Sequence, residues 1–210
     1  MKARKWHVRM VVRDVLASLP EPDQFRYVYE HYVKSFGVAR EWASEVADVG
    51  EGTEEAAARA PPLCRVFRRD AEGRIFFTEG QILGMLKEVY QALGLTRKLG
   101  LPRHWFVEPK RIYPRRDDGT VPTEPDGRVL RPVQVVHRWG REASVLEHER
   151  LDRVTLEFDL ILALDRRRVP DDLAESIIRA LRHVGLGPGR RKDFGVVEEL
   201  EVQGPELVEI

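Results

Sequence analysis

Residues 155–164 show the strictest periodicity in the chain, because large apolar side chains alternate with other residues throughout. One set is Leu156, Phe158, Leu160, Leu162 and Leu164, and the other is Thr155, Glu157, Asp159, Ile161 and Ala163. Successive side chains of a strand point to opposite faces of a sheet, so this pattern predicts a strand with one well-buried face. The fold must therefore include a sheet that has one face buried against other parts of the protein.

A helix and another strand are predicted directly after this strand. Pro170 and the acidic pair Asp171–Asp172 indicate a helix start, and Gly185 indicates its end. The apolar residues between them recur at helical spacing: Leu173, Ile177, Leu181 and Val184. After a glycine-rich loop, residues 196–202 predict a final strand.

The earlier part of the chain predicts similar elements. Residues 6–12 alternate like a strand, residues 25–36 have helical spacing, and a second helical stretch surrounds Trp42. Residues 63–69 and 74–78 are two β-prone segments on either side of a turn, so they predict a β-hairpin. A helix over 81–93 then places Ile82, Leu86, Val89 and Leu93 on one side, with Gly84 allowing a close approach to its first turn.

The order of elements predicts an α+β fold, namely a ferredoxin-like, RNA-recognition-type βαββαβ antiparallel sheet with insertions. We expect strands 6–12, 155–164 and 196–202 in one sheet, with helices 81–93 and 171–184 on one of its faces. A single domain over residues 1–210 is predicted, with insertions at about 38–62 and 96–150.

Composition limits the class of protein. Hydrophobic residues make up 42% and charged residues 33% of the chain, which is typical of a folded globular protein. No apolar run reaches the roughly 18 residues that span a bilayer, so we expect no membrane contact and a cytoplasmic location. The single cysteine, Cys64, has no cysteine partner and is interpreted as a small buried apolar residue.

Charge is segregated along the chain although the formal net charge is zero. Residues 1–13 contain five Lys or Arg residues and no acid, whereas residues 196–210 contain five glutamates and no base. Segregated charge is compatible with a nucleic-acid binder in spite of the zero balance.

The loop over residues 185–195, with the sequence GLGPGRRKDFG, concentrates glycines and cations. Glycines let backbone N–H groups form an anion-binding concavity, and guanidinium groups add bidentate contacts, so the loop suits a chain of phosphates. It is not a Walker loop, because it lacks the GK[ST] ending and follows a helix instead of preceding one. The alternative interpretation is a connecting loop with solvated arginines.

Two segments resemble the RAMP superfamily, the repeat-associated proteins that form RNA-binding subunits of CRISPR effectors. Residues 187–197, GPGRRKDFGVV, resemble its C-terminal glycine-rich signature. Residues 74–88, RIFFTEGQILGMLKE, resemble a backbone-subunit strand, turn and helix, although TEGQ replaces the usual Pro-Gly-Ser turn. Residues 106–112, with 131–134 and 140–141, are similar to compact RAMP-like proteins of phages and prophages.

This resemblance implies contacts to the backbone of single-stranded RNA, such as a guide RNA, or of single-stranded DNA. It also implies association with other effector subunits or with further copies of the chain. The implied RNA-binding residues are Gly187, Gly189, Arg190, Arg191, Lys192, Phe194 and Gly195 in the loop, and Lys87, Arg111, Arg138 and Arg141 elsewhere. Phe194 is also expected to anchor the neighbouring strand in the core.

Catalysis is the main alternative, because RAMP relatives include endoribonucleases that use a histidine or a loop aspartate. His31 and Asp48 are the candidate catalytic residues, and both have an ordinary structural interpretation. His137 and His148 lack a third ligand at metal spacing, so we predict no metal site, no cofactor and binding without cleavage.

Two further alternatives remain open. The chain is also compatible with a self-assembling structural protein, for example of a phage, whose insertions act as arms. Arg9 and Arg13 are alternatively predicted to pair across strands with Glu157 and Asp159 instead of contacting RNA.

Overall fold

The structure is a computed structural model that describes residues 2–20, 63–100, 102–137, 140–163, 169–188 and 194–209. The predicted helices over residues 25–36 and around Trp42, and most of the insertion 38–62, lie outside the described residues. The strands are β1 (Lys2–Leu16), β2 (Leu19–Pro20), β3 (Leu63–Val66), β4 (Arg68–Arg69), β5 (Ile75–Thr78), β6 (Trp105–Glu108), β7 (Arg111–Ile112), β8 (Gly127–His137), β9 (Gly140–Ala163) and β10 (Val196–Glu209). The helices are α1 (Glu79–Ala92), α2 (Thr96–Leu99) and α3 (Asp171–Arg179), and α3 continues as a 3₁₀ helix over Ala180–His183. The protein is therefore mixed α+β.

The chain divides into two compact units. The first comprises Met1–Ser18, Phe67–Gly127 and Glu149–Ile210, and the second comprises Leu19–Val66 and Arg128–His148. In the second unit, β8 pairs with β9, β3 runs parallel to β9, and β2 runs antiparallel to β3. The single domain over 1–210 stays a prediction.

The main sheet of the first unit has β1 between β9 and β10, and β6 on the other side of β9. All of these pairings are antiparallel, with Val8 opposite both Val202 and Phe158. The prediction that strands 6–12, 155–164 and 196–202 share one antiparallel sheet is confirmed up to Ala163, the last described residue of β9. The strands β9 and β10, which α3 connects, thus flank β1.

The core lies against the even-numbered face of β1, where Trp6, Val8, Met10 and Val12 are fully buried. Both long helices contribute to the same core, as predicted: α1 supplies Ile82, Met85, Leu86, Val89 and Tyr90, and α3 supplies Ala174, Ile177 and Ile178. Burying each large apolar side chain stabilises the fold by about 1.5–3 kcal/mol. This packing fixes the helices on the sheet.

Trp105 ties the added strand β6 to this core. Its ring lies 5.7 Å from the ring of Trp6, and its indole N–H donates to the Tyr90 hydroxyl at 2.8 Å. Burial raises the pKa of Tyr90 despite that hydrogen bond. Part of the predicted irregular insertion is therefore an ordered component of the sheet.

Helix α1 differs from its prediction at both ends. It starts at Glu79, where the N–H of Thr78 donates to Gln81 Oε1 at 2.9 Å in a capping box. It ends at Ala92, so Leu93 is the C-cap and is 50% exposed instead of joining the apolar side. No described residue has an atom within 4 Å of a Cβ placed at Gly84, so the close approach that this glycine would allow stays a prediction.

A small three-stranded sheet consists of β4, β5 and β7. The hairpin predicted around residues 70–73 is confirmed, since Arg68 pairs with Phe76 and Arg69 with Ile75. The predicted strand 63–69 is instead divided at Phe67, because β3 and β4 belong to different sheets. Strand β7 pairs with the other edge of β5, placing Ile112 opposite Phe77.

Candidate nucleic-acid interface

The two ends of the glycine-rich loop are held together by backbone hydrogen bonds. The N–H of Leu186 donates to the carbonyl of Gly195 at 2.8 Å, and the N–H of Gly195 donates to the carbonyl of Asp14 at 2.9 Å. Asp14 lies near the end of β1. The chain between Leu186 and Gly195 therefore leaves and returns at one point beside that strand.

Glycine is required at this closure. Gly187 and Gly195 have φ values of 80° and 63°, in the left-handed region that favours glycine. A Cβ at Gly195 would lie 1.8 Å from the Leu186 carbonyl oxygen, and one at Gly187 would lie 3.1 Å from the Leu16 carbonyl oxygen. The absence of side chains lets the two ends of the loop approach each other and β1.

The predicted phosphate contacts Gly189, Arg190, Arg191 and Lys192 lie outside the described residues, as does Arg138. Phe194 is described and half-buried. Arg141 belongs to β9, but its side chain is not described. RNA contact by these residues stays a prediction.

The outer face of the main sheet is an ion-pair surface. Arg9 lies opposite Glu157 on one side and Glu201 on the other, and its guanidinium is 3.1 Å from Glu201 and 3.9 Å from Glu157. His7 contacts Asp159 at 2.9 Å, and Lys5 reaches the same carboxylate at 3.5 Å. The basic N-terminal strand and the acidic tail are thus neighbouring strands that neutralise each other.

Arg13 departs from the predicted pairing with Asp159. Its backbone lies opposite Arg153 and Val196, and its side chain reaches Asp14 at 3.3 Å and Glu198 at 3.5 Å. The register explains the error, because Asp159 lies opposite His7. Arg9 and Arg13 are therefore engaged within the protein.

Lys87 and Arg111 differ from these paired cations. Lys87 is exposed on α1, and Arg111 is exposed on β7 with its guanidinium 5.1 Å from the ring centre of Phe76. Neither makes an ion pair with another residue in the ranges that the structure describes. Within those ranges, both cations are therefore available to bind an anion from outside the protein.

Sequence reasoning missed the residues that surround Arg111. Along β5 the buried residues Ile75 and Phe77 alternate with the half-buried Phe76 and Thr78, so the latter pair faces outward. Phe76 lies 6.1 Å from the ring of Tyr113 at an interplanar angle of 52°, and the Arg74 guanidinium is 4.9 Å from the Tyr113 ring. The alternation of residues 74–78 was the available signal.

Asp70 organises this cluster. Its carboxylate accepts hydrogen bonds from the Arg74 guanidinium at 2.8 Å, the Arg74 N–H at 2.9 Å and the Tyr113 hydroxyl at 2.9 Å. Burial of the side chain raises the pKa of Asp70, but these hydrogen bonds outweigh burial and lower it to about 2. The carboxylate therefore stays ionised and holds Arg74 and Tyr113 in place.

Cys64 is not the isolated apolar residue that the sequence predicted. It is only half-buried, and its Sγ lies 3.0 Å from Glu147 Oε2 because the parallel pairing of β3 with β9 places these residues opposite each other. That hydrogen bond, together with the neighbouring Arg128, lowers the pKa of Glu147. The thiol therefore acts as a polar partner within the second unit.

The catalytic candidates His31 and Asp48 lie outside the described residues, and the side chain of His137 is not described. Within the described ranges, no group of three or more His, Cys, Asp or Glu side chains is arranged to hold a metal ion. His148 is buried in β9. None of the described helices is long and apolar enough to cross a membrane.

Comparison with known proteins finds similarity to solved structures, but none to family models or curated proteins. No protein-family model matches the sequence, and no curated protein matches it. Solved structures do match, among them a chain of a structure described as a type IV-B CRISPR complex, with 12% identity over 95% of this chain and 90% of that chain and a TM-score of 0.47. Values this low establish neither a family nor a function.

Proposed function

We propose that this protein binds the backbone of single-stranded RNA without cleaving it, through the glycine- and arginine-rich loop over residues 185–195. It would do so as a RAMP-like subunit of a CRISPR-effector-like assembly or as a phage-encoded counterpart. The observation that supports this most is the closure of the loop, where Leu186 and Gly195 are hydrogen-bonded to each other and Gly195 to Asp14.

The closure matters because it reduces the cost of binding. Arg190, Arg191 and Lys192 belong to a segment whose two ends are already fixed, so ordering it on a phosphate chain costs less entropy than ordering a free tail of equal length. Successive guanidinium and ammonium groups can then contact successive phosphates without reading base sequence.

The distribution of ion pairs supports the same assignment. Arg9, Arg13 and Arg153 are held by carboxylates on the outer face of the main sheet, so a phosphate would have to displace those carboxylates. Within the described ranges that face offers RNA little free positive charge. The loop cations are better candidates because their segment contains one acid, Asp193, beside three bases.

The proposed fold is the ferredoxin-like arrangement of RNA-recognition domains. Strand β9, helix α3 and strand β10 form a split βαβ unit with β1 inserted between the two strands, as that fold requires. The loop connects α3 to β10, and its two described ends lie beside Asp14 near the end of β1.

The experiment compares two triple variants that each remove three positive charges. Arg190→Ala, Arg191→Ala and Lys192→Ala remove the loop cations, while Arg97→Ala, Lys98→Ala and Arg103→Ala remove exposed cations around α2. Anisotropy titrations with labelled RNA oligonucleotides of unrelated sequence are carried out at about 50 and about 200 mM salt. The loop variant should bind all of them more weakly.

The salt dependence gives the sharper measurement. Each phosphate contact on a single strand contributes about 0.7 to the slope of log K against log salt, so losing three contacts should reduce the slope by about 2. The control should keep both affinity and slope. Wild-type behaviour of the loop variant, or equal losses in both variants, would show that the loop has no specific role.

A further inference from the structure

We propose a second RNA contact on this protein: the outer face of the sheet β4-β5-β7, where bases of the single strand stack on Phe76, Tyr113 and the arginines beside them. This inference rests on the proposed function, because it assigns an additional surface to the same ligand. It concerns residues that the loop proposal does not use, although Arg111 is among the RNA-binding residues that the family resemblance implied.

The register places these side chains on one face. Phe76 faces outward, Arg68 lies opposite it on β4, and Arg111 lies opposite the outward-facing Thr78 on β7. The ring of Tyr113 lies 6.1 Å from that of Phe76, so the two aromatic rings are neighbours. The face therefore has two rings side by side with arginines at its edges.

The charge of this face suits a polyanion. Arg74 is neutralised by Asp70 at 2.8 Å and Glu72 at 3.0 Å, so it acts as a structural residue. Arg68 and Arg111 make no ion pair with any residue in the described part of the chain, and both are exposed. Two cations thus flank the rings, one on β4 and one on β7, the strands on either side of β5.

The cluster is ordered before any ligand binds. Asp70 accepts a hydrogen bond from the Tyr113 hydroxyl at 2.9 Å, which fixes the orientation of the ring, and the Arg111 guanidinium lies over Phe76 at 5.1 Å. Bases stack on guanidinium planes as well as on aromatic rings, so the layered Arg111 and Phe76 present a stacking surface. Such surfaces bind single strands with little sequence preference.

The test uses Arg111→Ala and Phe76→Leu, with Arg97→Ala and Phe106→Leu as matched controls. Phe106 is 45% exposed on β6, so its substitution removes an exposed aromatic ring at another place. The probe is an RNA oligonucleotide carrying 2-aminopurine at one position at a time, whose fluorescence is quenched when the base stacks. Melting curves establish that each variant is folded, and Arg111→Ala removes only an exposed side chain.

Wild-type protein should change the 2-aminopurine signal at particular positions, and both test variants should abolish that change. Affinity should fall about 5- to 150-fold for each variant, which corresponds to the loss of one stacked base. The controls should bind like the wild type. Normal affinity and normal quenching with Arg111→Ala would overturn the inference.

The outcomes separate this inference from the loop proposal. If RNA binding is weakened by the substitutions at residues 190–192 but not by Phe76→Leu or Arg111→Ala, the stacking surface is wrong and the loop proposal stands. If binding is weakened by Phe76→Leu and Arg111→Ala but not by the loop substitutions, the loop proposal is wrong and the stacking surface stands. Polyglutamate is the competitor that tests for an acidic protein ligand. If it displaces labelled RNA as effectively as unlabelled RNA does, and if Arg111→Ala abolishes that competition, the face binds acidic protein and the assignment to RNA is overturned.

Discussion

Replacing Gly195 by alanine should destabilise the protein strongly, because this glycine closes the loop. The substituted Cβ would lie 1.8 Å from the Leu186 carbonyl oxygen, whereas real Cβ contacts essentially never fall below 3.0 Å. The two backbone segments must therefore separate by about 1.2 Å to reach that limit. Leu186 and Gly195 are themselves buried, so neither residue can move without disturbing its neighbours.

The expected cost has two parts. An L-residue in the left-handed region costs about 1–2 kcal/mol. Separation also weakens the hydrogen bonds from Leu186 to Gly195 and from Gly195 to Asp14, at about 1 kcal/mol each and more if a buried group loses its partner. Together these effects predict a loss of about 3–5 kcal/mol, or roughly 6–20 °C in melting temperature for a chain of this size.

Gly94→Ala is the matched control. Gly94 has φ of 66°, close to the 63° of Gly195, but no atom of a described residue lies within 4 Å of its substituted Cβ. Gly94→Ala should therefore lower the free energy of unfolding by only about 1–2 kcal/mol, the cost of an L-residue in the left-handed region. Urea unfolding of both variants measures the difference, and equal losses would show that Leu186 does not approach Gly195 as closely as described.

The remaining predictions concern α1 and the Asp70 cluster. Gly84→Ala should raise the free energy of unfolding by about 0.5–1 kcal/mol, because Gly84 is inside α1 and no atom of a described residue lies within 4 Å of its substituted Cβ; a lower free energy of unfolding in urea would contradict this. Asp70 has a pKa of about 2 when folded and near its ordinary 3.8 when unfolded, so the unfolded state takes up a proton first as pH falls from about 4 to about 2. Wild-type stability should fall more steeply in that window than the stability of Asp70→Asn, whereas parallel acid-unfolding curves would contradict the role of Asp70.

Elements with long, regular patterns could be predicted from the sequence. Residues 6–12 of β1, 155–163 of β9 and 196–202 of β10 follow from alternation, and most of α1 and α3 follows from helical spacing, because burial on one face imposes these periods. Residues 140–150 of β9, in contrast, fell in the predicted insertion. The ends were less predictable. Leu93 matches the apolar side of α1 by spacing, but the helix ends one residue earlier, so spacing alone was misleading.

Contacts between distant segments could not be predicted from local pattern. Strand β6 joins the main sheet because Trp105 fits against Trp6 and Tyr90, and nothing near residue 105 specifies those partners. Cys64 gained a polar role only through its pairing with Glu147. The surface around Phe76 likewise depends on β7 lying beside β5.

The segregation of charge along the sequence acquires a different meaning once the register is known. A basic N-terminus and an acidic C-terminus suggested a basic surface for nucleic acid, but β1 and β10 are adjacent antiparallel strands, so these charges meet and cancel. Charge that is separated in sequence can therefore be paired in space. The proposed RNA contacts therefore use cations outside that pairing. The residues to test are the cations of 190–192 and Arg111, and not the more numerous cations of β1.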